Sequence, residues 1–279
     1  MSLEDRIKAV DAIETVSERD AYAWAYTSFH SDINVIKNLN KLIEKLFEEL
    51  ESQTTARVLS KDLEEELINY ATRLVKTNRI LKKQALKNAY LSIENKGEFE
   101  RLLNETIIRR RGIDVIRDMD IVYIVSLFEG YLQKVLQVTF AKKPEALKSC
   151  QKNISYQELL DFKNIKIAKK RIVEKEIEIV NEDIEVVNEY FQKKFNIDMS
   201  KFVDWKEFKE RFYRRNIIIH NSGVPNKVYR SKTGYSGGNE KMTVSKTYLD
   251  ASIDMFETMS QKVGLALEEK IIGYKKTKK

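Results

Sequence analysis

Only two prolines, Pro144 and Pro225, occur in 279 residues, and the first 143 positions contain none. Proline ends a helix by removing an N–H and clashing with the preceding turn, so nothing of that kind interrupts the first half of the chain. Glycine is scarce too, at nine positions. A β-sandwich or barrel needs turn residues about every 8–12 positions, and no such series occurs. The composition therefore predicts an all-α protein. With 42% hydrophobic and 33% charged residues, the chain can bury a core, which excludes wholesale disorder.

The pattern of apolar residues places the helices. Ile33, Ile36, Leu39, Leu42, Ile43, Leu46 and Leu50 recur at three and four, and a second apolar run, Leu63, Leu67, Tyr70, Leu74, Ile80, Leu81, Leu86 and Tyr90, spans about 60–95. Asn95-Lys96-Gly97 reads as a stop, and a shorter helix from Glu98 is expected to end at Gly112. Both an antiparallel hairpin or coiled coil and an ordinary bundle suit these runs. Gly112 is the expected domain boundary, separating an N-terminal helical region (1–112) from a second domain (113–279). The second domain is expected to open with an apolar helix over 113–140. Ser155-Tyr156-Gln157-Glu158 has capping-box spacing, and an acidic helix is expected over 168–195. Asp204 should start a helix running to His220, and Asn221-Ser222-Gly223 should stop it. Residues 224–245 read as a loop or β-hairpin, with a final helix from Lys246 to Gly273.

Several function classes are excluded at this level. Cys150 is the lone cysteine, so neither an internal disulfide nor a Cys/His metal cluster can form. The charged N-terminus has no following apolar core, and no run of eighteen uncharged apolar residues stands out. A cytoplasmic protein with no membrane association is the expectation. No dinucleotide, Walker, GxSxG or HExxH motif occurs. Asp118-Met119-Asp120 reads as a solvated or helix-start charge pair rather than a metal site.

Charge is uneven. The net charge is +7, and the segment from Lys206 to Lys246, with ten bases against three acids, carries an excess of the same size. Tyr213, Tyr229 and Tyr235 alternate with these bases, as in surfaces that hold phosphates by cations and unstacked bases by aromatic faces. A solvated face with tyrosines in the core is the competing reading. The same segment holds His220, one of two histidines; histidine's ordinary pKa, about 6.5, suits proton transfer near neutrality. His30 lacks such a setting and reads as structural.

Arg215-Asn216-Ile217-Ile218-Ile219-His220 fits the Rx4–6H motif of the HEPN superfamily. The wider pattern resembles one bacterial branch of it: Arg214-Arg215-Asn216, three apolar residues, His220-Asn221, Gly223, then Tyr229 and a closing helix near Tyr248. The entry helix around Ser126-Leu127-Phe128-Glu129-Gly130-Tyr131-Leu132 is also similar to that branch. In members modified by nucleotidyltransferases the histidine is followed by x-Tyr; here Asn221-Ser222 follows. The resemblance covers residues 113–273. It implies an all-α HEPN bundle and a metal-independent endoribonuclease without cofactor, acting as a toxin or antiviral effector on tRNA or mRNA. It also implies a homodimer, with an antitoxin or sensor as a further partner. His220 would be acid/base, Arg215 the phosphate clamp and Asn216 the group orienting the imidazole. Arg211, Arg214, Lys227, Tyr229 and Arg230 would contact RNA, and Glu129 would fix the arginine or histidine unless it is simply a buried structural carboxylate. The rival class is a non-catalytic helical module binding nucleic acid or protein.

Overall fold

A computed structural model describes residues 18–55, 96–149 and 164–273. The expected helix over 60–95 and the capping box at Ser155 lie outside them. Among the described residues there are seven α-helices and no strand: α1 (Glu18–Thr55), α2 (Lys96–Lys142), α3 (Ile165–Ile177), α4 (Ile184–Phe195), α5 (Trp205–Asn221), α6 (Lys227–Thr233) and α7 (Lys246–Ile272). The all-α expectation holds.

The chain divides into two compact units, residues 1–37 with 117–279, and residues 38–116. This differs from a division at Gly112 because the start of α1 is core to the first unit. Ala21, Tyr22, Ala25, Phe29, Ile33 and Ile36 recur on one face of α1 and are all buried, the spacing of a helix whose apolar stripe faces a core. The Tyr22 and Thr139 hydroxyls meet at 2.7 Å, while further along Lys134 donates to Ser28 and Phe29 meets Phe128, so α1 runs antiparallel to α2. At the centre is Phe128, whose ring lies 5.3–6.5 Å from those of Phe29, Phe208, Phe212 and Phe256. One aromatic cluster thus ties α1, α2, α5 and α7 together. Of the second unit, the described residues are the later part of α1 and the opening of α2.

Four local expectations are corrected. Lys96 and Gly97 open a helix, and α2 then passes straight through Gly112; one glycine costs a helix about 1 kcal/mol, too little to end one whose later turns, from Ile121 on, are buried. The span from 168 to 195 is two helices, because the Asp183 carboxylate accepts from the Glu185 amide and caps a new start. Residues 224–245 contain α6 rather than a hairpin: Asn226 caps it through the Tyr229 amide, and Gly234 ends it at φ 73°. Asp118 is neither solvated nor at a helix start; it lies within α2, 8% exposed, 2.6 Å from Lys241.

By length and composition Arg111–Lys142 is apolar enough to cross a membrane, although it lacks a wholly uncharged run. The described fold gives those side chains another use. Ile121, Ile124, Val125, Phe128, Leu132, Val135 and Leu136 are core residues.

Candidate active site at the end of α5

Helix α5 starts where the sequence places it, with the Asp204 carboxylate accepting from the Glu207 amide at 3.1 Å. It stops at Ser222 and Gly223, both left-handed at φ 52° and 80°. The Lys241 side chain lies 3.1 Å from where a Cβ would sit on Gly223, and the Met242 amide donates to the Gly223 carbonyl at 3.0 Å. The returning loop therefore clamps the end of the helix that carries His220.

On that last turn Asn216, Ile219 and His220 are exposed. Asn216 and His220, four residues apart, share a face, and among the described residues neither is hydrogen-bonded to another side chain. Arg215 is about 140° round the helix from His220 and points to α2, where its guanidinium pairs with Glu129. Both are mostly buried, at 22% and 21% side-chain exposure. Burial pushes the Glu129 carboxyl above its usual range, and the arginine charge pulls against that shift. The Arg215 Nε is buried without a partner, so this guanidinium is held by its tip alone. Of the two roles left open for Glu129, the contact is with the arginine, not the histidine.

The structure turns most of the expected RNA contacts inward. Arg211 and Arg214 are 3% and 6% exposed. Glu210 lies between them: Arg214 Nε donates to Oε1 at 2.9 Å, and the Tyr229 and Tyr248 hydroxyls donate to Oε1 and Oε2, each at 2.5 Å. Arg211 also pairs with Glu207, donates to the Ser252 hydroxyl at 3.2 Å and lies over the Tyr248 ring. Burial opposes the Arg214 charge, but the Glu210 carboxylate outweighs it and keeps the guanidinium more basic than usual. The Tyr229 and Tyr248 phenols are shifted up, by burial and then by Glu210. Tyr229 is therefore a core hydroxyl, not a stacking platform. Arg230 donates to the Gly237 and Gly238 carbonyls at 2.7 and 2.6 Å and to Asn239 Oδ1, organising the glycine loop. Lys227 remains exposed.

The acids that neutralise this segment were partly readable beforehand. Glu207–Arg211 and Glu210–Arg214 have i,i+4 spacing. A second set comes from α4 and its cap: Lys209 and Lys232 lie 2.6 and 2.8 Å from Glu185, and their hydrogen bonds hold that carboxyl down at about 2. Tyr213 donates to Asp183 at 3.1 Å. The basic excess of the sequence is thus largely spent inside the fold.

Replacing Glu210 by alanine should show how much rests on this cluster. Removing one partner of a buried ion pair leaves an uncompensated charge, which costs about 3–5 kcal/mol. Urea unfolding of Glu210→Ala should show a loss of that size, against little change for Glu240→Ala on the exposed loop.

Among the described residues no group of three or more His, Cys, Asp or Glu is arranged to hold a metal ion. The other histidine, His30, lies with Nδ1 3.0 Å from Glu257 Oε1, and Lys37 Nζ lies 2.7 Å from Oε2. This ties α1 to α7, in keeping with the structural reading of His30. No protein-family model, curated protein or solved structure matches the chain at a significant level.

Proposed function

We propose that the protein is a metal-independent endoribonuclease of HEPN type that works as a homodimer, a toxin or antiviral effector cutting tRNA or mRNA. The observation that carries this reading is the pairing of an open imidazole with a sheltered guanidinium. His220 and Asn216 stand free on the last turn of α5, while Arg215, one turn back, is held by Glu129.

The chemistry follows from the residues. The ribose 2′-hydroxyl attacks the adjacent phosphorus, forming the O2′–P bond as the P–O5′ bond breaks. One imidazole takes the 2′ proton and a second returns a proton to the departing 5′ oxygen. One chain supplies one such imidazole at this site, so the second is the partner's His220, brought in by two-fold symmetry. Arg215 stabilises the charge that develops on the phosphorane, exchanging Glu129 for phosphate. Asn216 orients the imidazole from the same helix face. With Arg211 and Arg214 committed to Glu210, Lys227 is the remaining expected RNA contact with an open side chain.

The non-catalytic reading draws support from that same inward turn of the bases, which leaves fewer cations for a polyanion. The two are separated by incubating the protein with mixed cellular RNA in EDTA. Cleavage in chelator is expected; RNA that stays whole, or is cut only after divalent cations are added back, contradicts the enzyme.

A further inference from the structure

Two ion pairs tie α5 and the loop behind it to α2, and they bracket His220. The first joins Arg215 to Glu129. The second comes through the returning loop. Lys241 Nζ lies 2.6 Å from Asp118 Oδ2, and the lysine stem runs over Gly223, with Cε and Cγ 3.1 and 3.2 Å from where a Cβ would sit. The two ties agree in direction, because Glu129 and Asp118 descend along α2 as Arg215 and Gly223 ascend the chain. On α2 the anchors are eleven residues apart, or about 16 Å at 1.5 Å per residue. His220 lies between them, five residues past the first tie and three before the second.

The imidazole depends on this frame because its own contacts do not place it. Neither His220 nor Asn216 is hydrogen-bonded to another described side chain, so the backbone of the last turn sets where both stand. That turn ends in two successive left-handed residues, Ser222 and Gly223, at φ 52° and 80°. Beyond it the loop takes over: the Met242 amide donates to the Gly223 carbonyl at 3.0 Å, and Met242 packs with Tyr213, Ile217 and Tyr229. Lys241 connects this packing to α2. Asp118 is 8% exposed and its Oδ1 is buried without a hydrogen-bond partner, so Lys241 is the described partner of this carboxylate.

We infer that Lys241 and Asp118 are positioning residues, a latch that holds the last turn of α5 on α2 and so sets His220 and Asn216 against the Arg215–Glu129 pair. The catalytic half of this rests on the ribonuclease reading above; the mechanical half stands without it. Such a latch acts on rate rather than on binding. Misplacing a reacting group by about 1 Å costs on the order of 10²-fold, while the surface that meets RNA stays the same. Neither residue belongs to the motif from Arg215 to His220, and Lys241 comes from a segment whose bases read in the sequence as a polyanion surface.

Asp118→Asn with Lys241→Met, in the full chain, removes both charges and leaves no carboxylate buried unpaired; Lys241→Arg keeps the cation. Hydrogen exchange followed by mass spectrometry reads the latch without substrate. In the double variant, amides over 217–224 are expected to exchange about tenfold faster or more, the scale of a lost charge-assisted hydrogen bond. Those over 208–214, and the thermal melt, should hold, and Lys241→Arg should exchange like the wild type. On one defined RNA the double variant should lose about 10²-fold in kcat with KM unchanged, and the arginine variant should recover most of it. Unchanged exchange over 217–224 overturns the latch. A loss confined to KM, or faster exchange with cleavage at the wild-type rate, overturns the positioning role. Faster exchange in the double variant, with RNA left whole by the wild type, keeps the latch and removes the ribonuclease reading.

Discussion

His220→Ala is expected to lower RNA cleavage by about 10²–10⁴-fold, the usual contribution of a positioned acid or base, and to leave the melting temperature unchanged. The second half of that expectation follows from exposure. His220 fills no cavity and holds no other described side chain, so its loss removes chemistry without removing packing. The measurement is a gel-based rate on one defined RNA, with circular dichroism melts run beside it. In a shared site the loss should also be dominant: mixed dimers of wild type and His220→Ala lack one of the two imidazoles. Cleavage that survives the substitution would transfer the chemistry elsewhere in the chain.

Deleting residues 1–37 is expected to abolish cooperative folding. The segment supplies Tyr22, Phe29, Ile33 and Ile36 to the buried core, and losing a single buried Phe costs about 3–5 kcal/mol. The whole stability of a domain is about 5–15 kcal/mol, so losing all four exceeds what the remaining helices can absorb. The deletion also strands Glu257 without Lys37 and leaves the Thr139 hydroxyl without Tyr22. Thermal melts and limited proteolysis should show a broad transition and rapid digestion. A sharp melt near that of the full chain would mean that α1 is an appendage.

The same residues show why the sequence left open whether the N-terminal helices pack on the second domain. The helix starts were readable because each rests on a local bond: Asp204 to the Glu207 amide and Ser245 to the Tyr248 amide. So was the end of α7 at Gly273, which is left-handed at φ 74°. Gly112 does not stop the helix because its helical cost is small and local, yet the boundary between the two units falls near it, between Ile116 and Arg117. The membership of the first part of α1, up to Lys37, in the first unit depends on contacts with residues more than a hundred positions away, such as Thr139 and Glu257, which no periodicity encodes.

The candidate site divides in the same way. Asn216 and His220 are on one face because four residues make about one turn, and that was legible. The pairing of Arg215 with Glu129, 86 positions upstream, was suggested only by resemblance. The inward turn of Arg211 and Arg214 was half visible in the i,i+4 glutamates. Tyr229 and Tyr248, which complete the cage around Glu210, lie 19 and 38 residues further along. A count of charges along the chain cannot separate cations facing solvent from cations facing a buried carboxylate, and so it overstated the polyanion-binding surface.

The ends left on cut RNA test the central claim most directly. Attack by the 2′-hydroxyl with two imidazoles moving the protons predicts 2′,3′-cyclic phosphate on one fragment and 5′-hydroxyl on the other, in EDTA and only with His220 present. Fragments bearing 3′-hydroxyl and 5′-phosphate ends, or RNA left intact by the wild-type dimer, would contradict it.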